Sequence, residues 1–133
     1  MRQLLIITTI FLSSLLMASV VHAKWTKVGK SVDGTFYVDF ERIKKHSGMV
    51  YYWGLVDRSK PTKTGVISFK YHSESECRRF RFRHLTITFY KGPMASGTIS
   101  SSHNIPEKDW RYASPDSIIE DVLKAVCNHK SMQ

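Results

Sequence analysis

Arginine occurs four times within six positions of the stretch ECRRFRFRH, as Arg78, Arg79, Arg81 and Arg83, with Phe80 and Phe82 set between them. Guanidinium groups at this density attract anions through their summed field. Rings placed between cations also suit unpaired nucleobases, which stack on aromatic faces. Lys44 and Lys45 form a second basic pair, and Arg58, Lys60 and Lys63 a looser third group. Arg78, Arg79, Arg81, Arg83, Lys44 and Lys45 are therefore the candidate binding residues. The competing reading is a half-solvated strand whose arginines pair with Glu74, Glu76, Asp39 or Asp57 on neighbouring strands.

Covalent chemistry has little to work with. The chain has no G-x-S-x-G, no H-E-x-x-H, no phosphate-cradling glycine loop and no C-x-x-C. His22, His46, His72, His84, His103 and His129 are scattered without ligand spacing. His72 stands closest to a constellation, because Glu74 and Glu76 would share its strand face, yet HSESE fits no metal-ligand template. No enzyme, no cofactor and no metal are expected.

The meaning of Cys77 and Cys127 depends on compartment, and the first 23 residues bear on that. MRQLLIITTIFLSSLLMASVVHA has one early cation, Arg2, then an apolar run interrupted by hydroxyl residues, then the small residue Ala23. This is the pattern of a secretory signal peptide cleaved after Ala23, which touches a membrane only before cleavage. Residues 24–133 then form a single domain in the periplasm, on the outer surface or in the medium. In such an oxidising compartment two cysteines allow one intramolecular bridge, Cys77 to Cys127. Closing a loop of about 50 residues contributes roughly 4 kcal/mol on the chain-entropy model. Export also argues against nucleic acid as a specific partner for a chain of net charge +9. The anions available outside the cytoplasm are sulfated glycans, lipid phosphates and acidic protein patches.

The elements that must position these residues read as short strands with one helix at the end. KWTKVGKS and TFYVDF are extended pieces separated by the turn signal DGT. ERIKKHSG follows as a turn or helical turn, with Lys44 and Lys45 in it. MVYYWGLVD and VISFKYHS are strands rich in aromatic and β-branched residues, with the loop RSKPTKTG between them. The arginine stretch is read as a strand starting at Cys77, so that Arg79, Arg81 and Arg83 share one face and Phe80 and Phe82 the other. Leu85, Ile87 and Phe89 then fall on odd positions, which predicts a bulge near Arg83 and His84 that restores one apolar face. TISSSHN is a weaker last strand. In SPDSIIEDVLKAVC, Ser114 is the expected N-cap, with Pro115 at the first helical position. Ile118, Ile119, Val122, Leu123 and Val126 form a helical stripe with Cys127 at its edge. The expected fold is α+β: about six antiparallel strands in a curved sheet, with one C-terminal helix packed on one face and tethered by the disulfide. One short helix cannot cover both faces of such a sheet. The aromatic surplus is then either exposed as a partner surface, a homodimer interface included, or buried by strong curling.

WTKVGKSVDGTFYVD, VYYWGLVD, SECRRFRFRHLTITFY, GTISSS, WRYASPDSI and VLKAVC, in that order with the two cysteines, are similar to the bacterial surface-adhesin protein E family. The resemblance implies an antiparallel sheet, one helix and the Cys77–Cys127 bridge. It also implies adhesive binding, which in pathogen members is directed at host matrix proteins such as vitronectin and laminin. Unlike lipidated members, this chain has no cysteine near the Ala23 junction. The expected function is a secreted or cell-envelope, adhesin-like module that contacts an extracellular or envelope protein or an anionic glycan through a basic and aromatic sheet surface. The alternative is a soluble periplasmic module with a structural or protein-interaction role and no host ligand.

Overall fold

The computed structural model describes residues 23–104 and 106–130. The expected signal segment, residues 1–23, lies outside them except for residue 23. In chain order the strands are β1 (Thr26–Lys30), β2 (Gly34–Val38), β3 (Lys44–His46), β4 (Met49–Arg58), β5 (Ser68–Glu76), β6 (Arg81–Tyr90), β7 (Ile99–His103) and β8 (Arg111–Tyr112). A 3₁₀ turn, Phe40–Arg42, joins β2 to β3, and helix α1 (Ile118–Asn128) follows β8. All pairings are antiparallel, and the order β1-β2-β4-β5-β6-β7 forms a curled α+β sheet of six main strands.

The two short strands complete edges that the main path leaves unpaired. β2 pairs with the Gly54–Arg58 half of β4, and β3 takes up the Met49–Tyr51 half. On the far side β7 pairs with Ile87–Tyr90 of β6, and β8 with Arg81 and Phe82. Between these two contacts the Glu107 N–H donates to the His84 carbonyl at 2.9 Å, while the Glu107 carboxylate accepts from the His84 N–H at 2.9 Å. The expected bulge sits there. Thr86 pairs with His72 and His84 with Ser73, leaving Leu85 as the extra residue. His84, not Leu85, therefore continues the Phe82 side of the strand.

One face of the sheet carries the core. Phe36, Val38, Val50, Tyr52, Val56 and Tyr71 are buried there against Val122 and Val126 of α1. The helix lies over β1, β2 and β4. Gly54, in the middle of β4, is required by a close approach, since a Cβ there would stand 2.2 Å from Tyr71 Cζ. The bridge between Cys77 and Cys127 spans 50 residues with a Cα–Cα distance of 5.8 Å and holds the end of α1 to the sheet.

Three local expectations are corrected. The arginine stretch is not one strand, because Cys77–Phe80 form a turn and Phe80 has a left-handed φ of 51°. The N-cap is Ser117, whose side chain accepts from the Glu120 N–H at 3.2 Å. Ser114, Pro115 and Asp116 precede the helix, and Asp116 takes a φ of 56° that α-helix does not allow. TISSSHN is not the last strand, because β8 follows it.

Candidate functional site

Pairing register fixes which side chains share the face that α1 does not cover. Antiparallel partners point to the same side, so this open face is a set of rows running across the strands. From one end the rows are Met49, Glu76 and Arg81; then Lys44, Tyr51, Glu74 and Arg83; then Trp53, His72 and Thr86. Leu55, Lys70 and Thr88 follow, and then Asp57, Ser68 and Tyr90.

Both ends of this face are closed by folded-over chain. At the Asp57 end, the turn after β6 donates from Met94 N–H to Asp57 Oδ1 and from Ala95 N–H to Ser68 Oγ, each at 2.9 Å. At the arginine end, Trp110 lies against two guanidinium groups, with Arg81 Cζ and Arg83 Cζ each 4.5 Å from a ring centroid. The same arginines hold carboxylates. Arg81 pairs with Glu76 at 2.6 Å, and Arg83 pairs with Glu74, which is almost wholly buried. A charge removed from water needs such a partner, and the cross-strand pairing considered from sequence is present at both positions.

The six basic candidates consequently divide. Arg78 and Arg79 lie exposed in the Cys77–Phe80 turn, where Arg79 reaches Glu76 only at 3.5 Å with its side chain 65% accessible. Arg79 is thus off the strand face that Arg81 and Arg83 share. Arg81, by contrast, is 18% accessible. Lys44 and Lys45 stand in β3 rather than in a loop, and on opposite sides of the sheet. Lys44 joins the open face beside Tyr51. Lys45 reaches the other way and donates to the His129 carbonyl at 2.6 Å, which satisfies the negative end of α1.

The middle of the open face holds a second cluster that sequence reading did not single out. Trp53 stacks on His72 with centroids 4.7 Å apart and planes 18° apart. Arg42 Cζ lies 5.7 Å and Lys70 Nζ 5.5 Å from the Trp53 ring. Arg42 is positioned by Asp39, a buried carboxylate that accepts from Arg42 Nε at 2.6 Å and also caps the 3₁₀ turn through the Glu41 N–H. A cleft of about 590 Å³ opens between this turn and β4–β5, lined by Arg42, Lys44, Tyr51, Trp53 and His72 among others. Burial lowers His72 below the ordinary imidazole range, with Lys44 and Arg42 acting in the same direction and Glu74 opposing. Burial and the Glu74 carboxylate raise the Tyr51 hydroxyl. The residue parity of β4 and β5 carried a signal for this cluster, since Tyr51 and Trp53, and Lys70 and His72, each alternate onto one face. The strand register needed to bring them together is a tertiary fact.

Residues 25–128 match the Surface-adhesin protein E family. The chain belongs to that family. Its fold is also similar to crystal structures of Haemophilus influenzae protein E. One crystal form superposes with a TM-score of 0.64 at 18% identity, covering 82% of this chain and 91% of that one. A second structure gives 0.62 at 17% identity, covering 82% and 88%. Protein E from a non-typeable strain gives 0.59 at 16%, covering 82% and 78%. Identity at this level establishes a shared fold, which in this chain is a curled antiparallel sheet with one C-terminal helix tethered by the Cys77–Cys127 bridge. No curated protein matches the sequence. The family is one of surface adhesins, not a known enzyme family. Among the described residues no three His, Cys, Asp or Glu side chains gather as a metal site, and no helix is long and apolar enough to cross a membrane.

Proposed function

We propose that the chain is exported by a signal peptide of residues 1–23, and that residues 24–133 act at the cell envelope as an adhesin-like binding domain. Its contact surface is the open face of the sheet. The observation that carries this reading is the one-sided packing of α1. The helix buries the apolar residues of one face and leaves on the other a cluster of aromatic and cationic side chains, Tyr51, Trp53 and Lys70 from the strands and Arg42 from the adjoining 3₁₀ turn. A surface rich in tryptophan, tyrosine and arginine has the composition of binding hot spots.

Within that face the free cations are the working ones. Lys44 forms no ion pair among the described residues, and Arg78 and Arg79 extend the positive field from the neighbouring turn. Arg81 and Arg83 hold the framework through Glu76, Glu74 and Trp110. The partner classes are an extracellular or envelope protein or an anionic glycan.

Labelling of intact cells with an antibody to the folded domain tests the placement. Labelling without permeabilisation is expected, whereas labelling only after the outer membrane is opened would overturn the surface reading in favour of a periplasmic module. Binding of the purified, oxidised domain to immobilised vitronectin and laminin tests the contact face. Saturable binding weakened by Lys44→Glu together with Arg78→Glu and Arg79→Glu is the expected result.

A further inference from the structure

We infer that the cleft between the Phe40–Arg42 turn and strands β4 and β5 binds an acidic saccharide, a sugar ring carrying a carboxylate or sulfate. The inference rests on the open face being the contact surface and goes on to name the chemistry of its ligand.

Size narrows the ligand first. A cleft of about 590 Å³ falls within the roughly 300–1,000 Å³ of small-ligand sites. A stable protein interface instead needs about 800 Å² from each partner, which a depression of this kind does not supply alone.

Charge narrows it next. Arg42 and Lys44 line the cleft together, and both act on His72. The acids nearby are already engaged. Asp39 holds Arg42 through Nε, Glu74 holds Arg83, and Glu41, which lines the outer part of the cleft, faces Lys24 in an exposed pair at 3.3 Å. Arg42 has no further hydrogen-bond partner than Asp39 among the described residues, and Lys44 has none. Two cations converging on a concave site call for an anion that they share.

Surface chemistry completes the case. Tyr51 and Trp53 give the cleft an aromatic wall with a hydroxyl tip, and the imidazole of His72 is held against the indole. Aromatic rings of this type are apolar in body and polar at one end. They suit a ligand whose C–H face packs flat while its hydroxyls remain hydrogen-bonded, which is the surface of a pyranose. A bare anion would use the cations and gain no contact with the rings. A purely apolar ligand would strand the cations.

NMR titration of the oxidised domain, following the His72 imidazole Cε1–H signal, reads the site directly. Four probes are compared: a heparin-derived tetrasaccharide, sialyllactose, lactose and sodium sulfate. A sulfated ligand is marked by response to the first, a carboxylate ligand by response to the second. The expected result is a saturable shift with at least one acidic saccharide, and a rise in the His72 pKa as the bound anion offsets Lys44 and Arg42. Lys44→Glu should weaken binding about tenfold, as expected for a contacting charge, while Lys130→Glu, an equal change of net charge elsewhere, should not. Equal response to sulfate alone, or no response to either saccharide, overturns the inference. If vitronectin or laminin binding remains sensitive to Lys44→Glu while the saccharides leave His72 unmoved, the contact-face reading stands and the saccharide class falls. If neither measurement depends on Lys44, both fall.

Discussion

Arg79 and Arg83 are four positions apart, yet their physical circumstances differ enough to separate them by experiment. Arg83 neutralises Glu74, which is almost wholly buried, and stacks on Trp110. Arg83→Ala should cost about 3 kcal/mol in urea unfolding, because it leaves a buried carboxylate without a partner. Arg79→Ala removes a long contact from an exposed side chain and should change stability by less than about 0.5 kcal/mol. Equal costs would show that the Glu74 pair is not what holds β5 to β6. His84 supplies a second residue-scale test. Its Nδ1 lies 2.5 Å from the Oγ of the fully buried Ser73. Burial, helped by Arg111 and opposed by Glu107, pushes its pKa down to about 4. Unfolded, the ring titrates near 6.5, so in the window between about 6.5 and 4 the unfolded chain binds more protons than the folded one. Stability should therefore be full above pH 6.5 and fall by on the order of 2 kcal/mol as pH drops toward 4, discounted for the ring's partial exposure. Glu107 works in the same sense lower down. Burial raises it, but the His84 N–H and Arg111 outweigh that and hold it below its ordinary value. His84→Gln should flatten the slope between pH 6.5 and 4, and an unchanged slope would assign it to other groups.

At the scale of elements, the sheet depends on two strands with three partners each, β4 with β2, β3 and β5, and β6 with β5, β7 and β8; β4 is the one beneath the helix. Gly54 lies at its centre with the Tyr71 ring pressed against the backbone. Gly54→Ala should cost about 2 kcal/mol or more by overpacking, in the upper part of the range for such insertions. Thermal unfolding would show it, and a silent substitution would mean that the Tyr71 ring can move aside. The bridge should matter more. Replacing both cysteines by serine removes roughly 4 kcal/mol if the 50-residue loop acts through chain entropy. The six main strands and the helix were legible in the sequence because alternation and the Ile118–Val126 stripe are local signals, whereas β3 was read as a turn and β8 was missed. The turn between β5 and β6 was not, because ECRRF contains neither glycine nor proline and Phe80 takes its positive φ without either. The helix start was misplaced by three residues for a related reason. Ser114 and Ser117 are both competent caps, and only the left-handed Asp116 between them decides which is used. The arginine–glutamate pairs were legible as an alternative from strand parity. Trp110 over Arg81 and Arg83 was not, since it arrives from a distant segment after β7.

Across the whole domain, residues 24–133, a net charge of +8, the full chain's +9 less Arg2, acts at longer range than any single cleft. Fields of this kind raise encounter rates with polyanions and are screened within about 8 Å at physiological ionic strength. Contacts within the cleft are short-range and govern how long a complex lasts. The two contributions are separable on a heparin-coated sensor surface. The association rate of the oxidised domain should fall by at least about tenfold between low and physiological salt, as electrostatic steering requires. Arg78→Glu with Arg79→Glu changes the charge of an exposed turn outside the cleft, so it should slow association several-fold and leave dissociation nearly unchanged, the behaviour of rim charges. Lys44→Glu sits among the cleft residues and should act chiefly by speeding dissociation. If the turn variant altered dissociation instead, the Cys77–Phe80 turn would be the contact itself and the open face its support. If association were insensitive to salt while dissociation was not, the summed charge would play no steering role, and recognition would reside wholly in short-range contacts on the sheet.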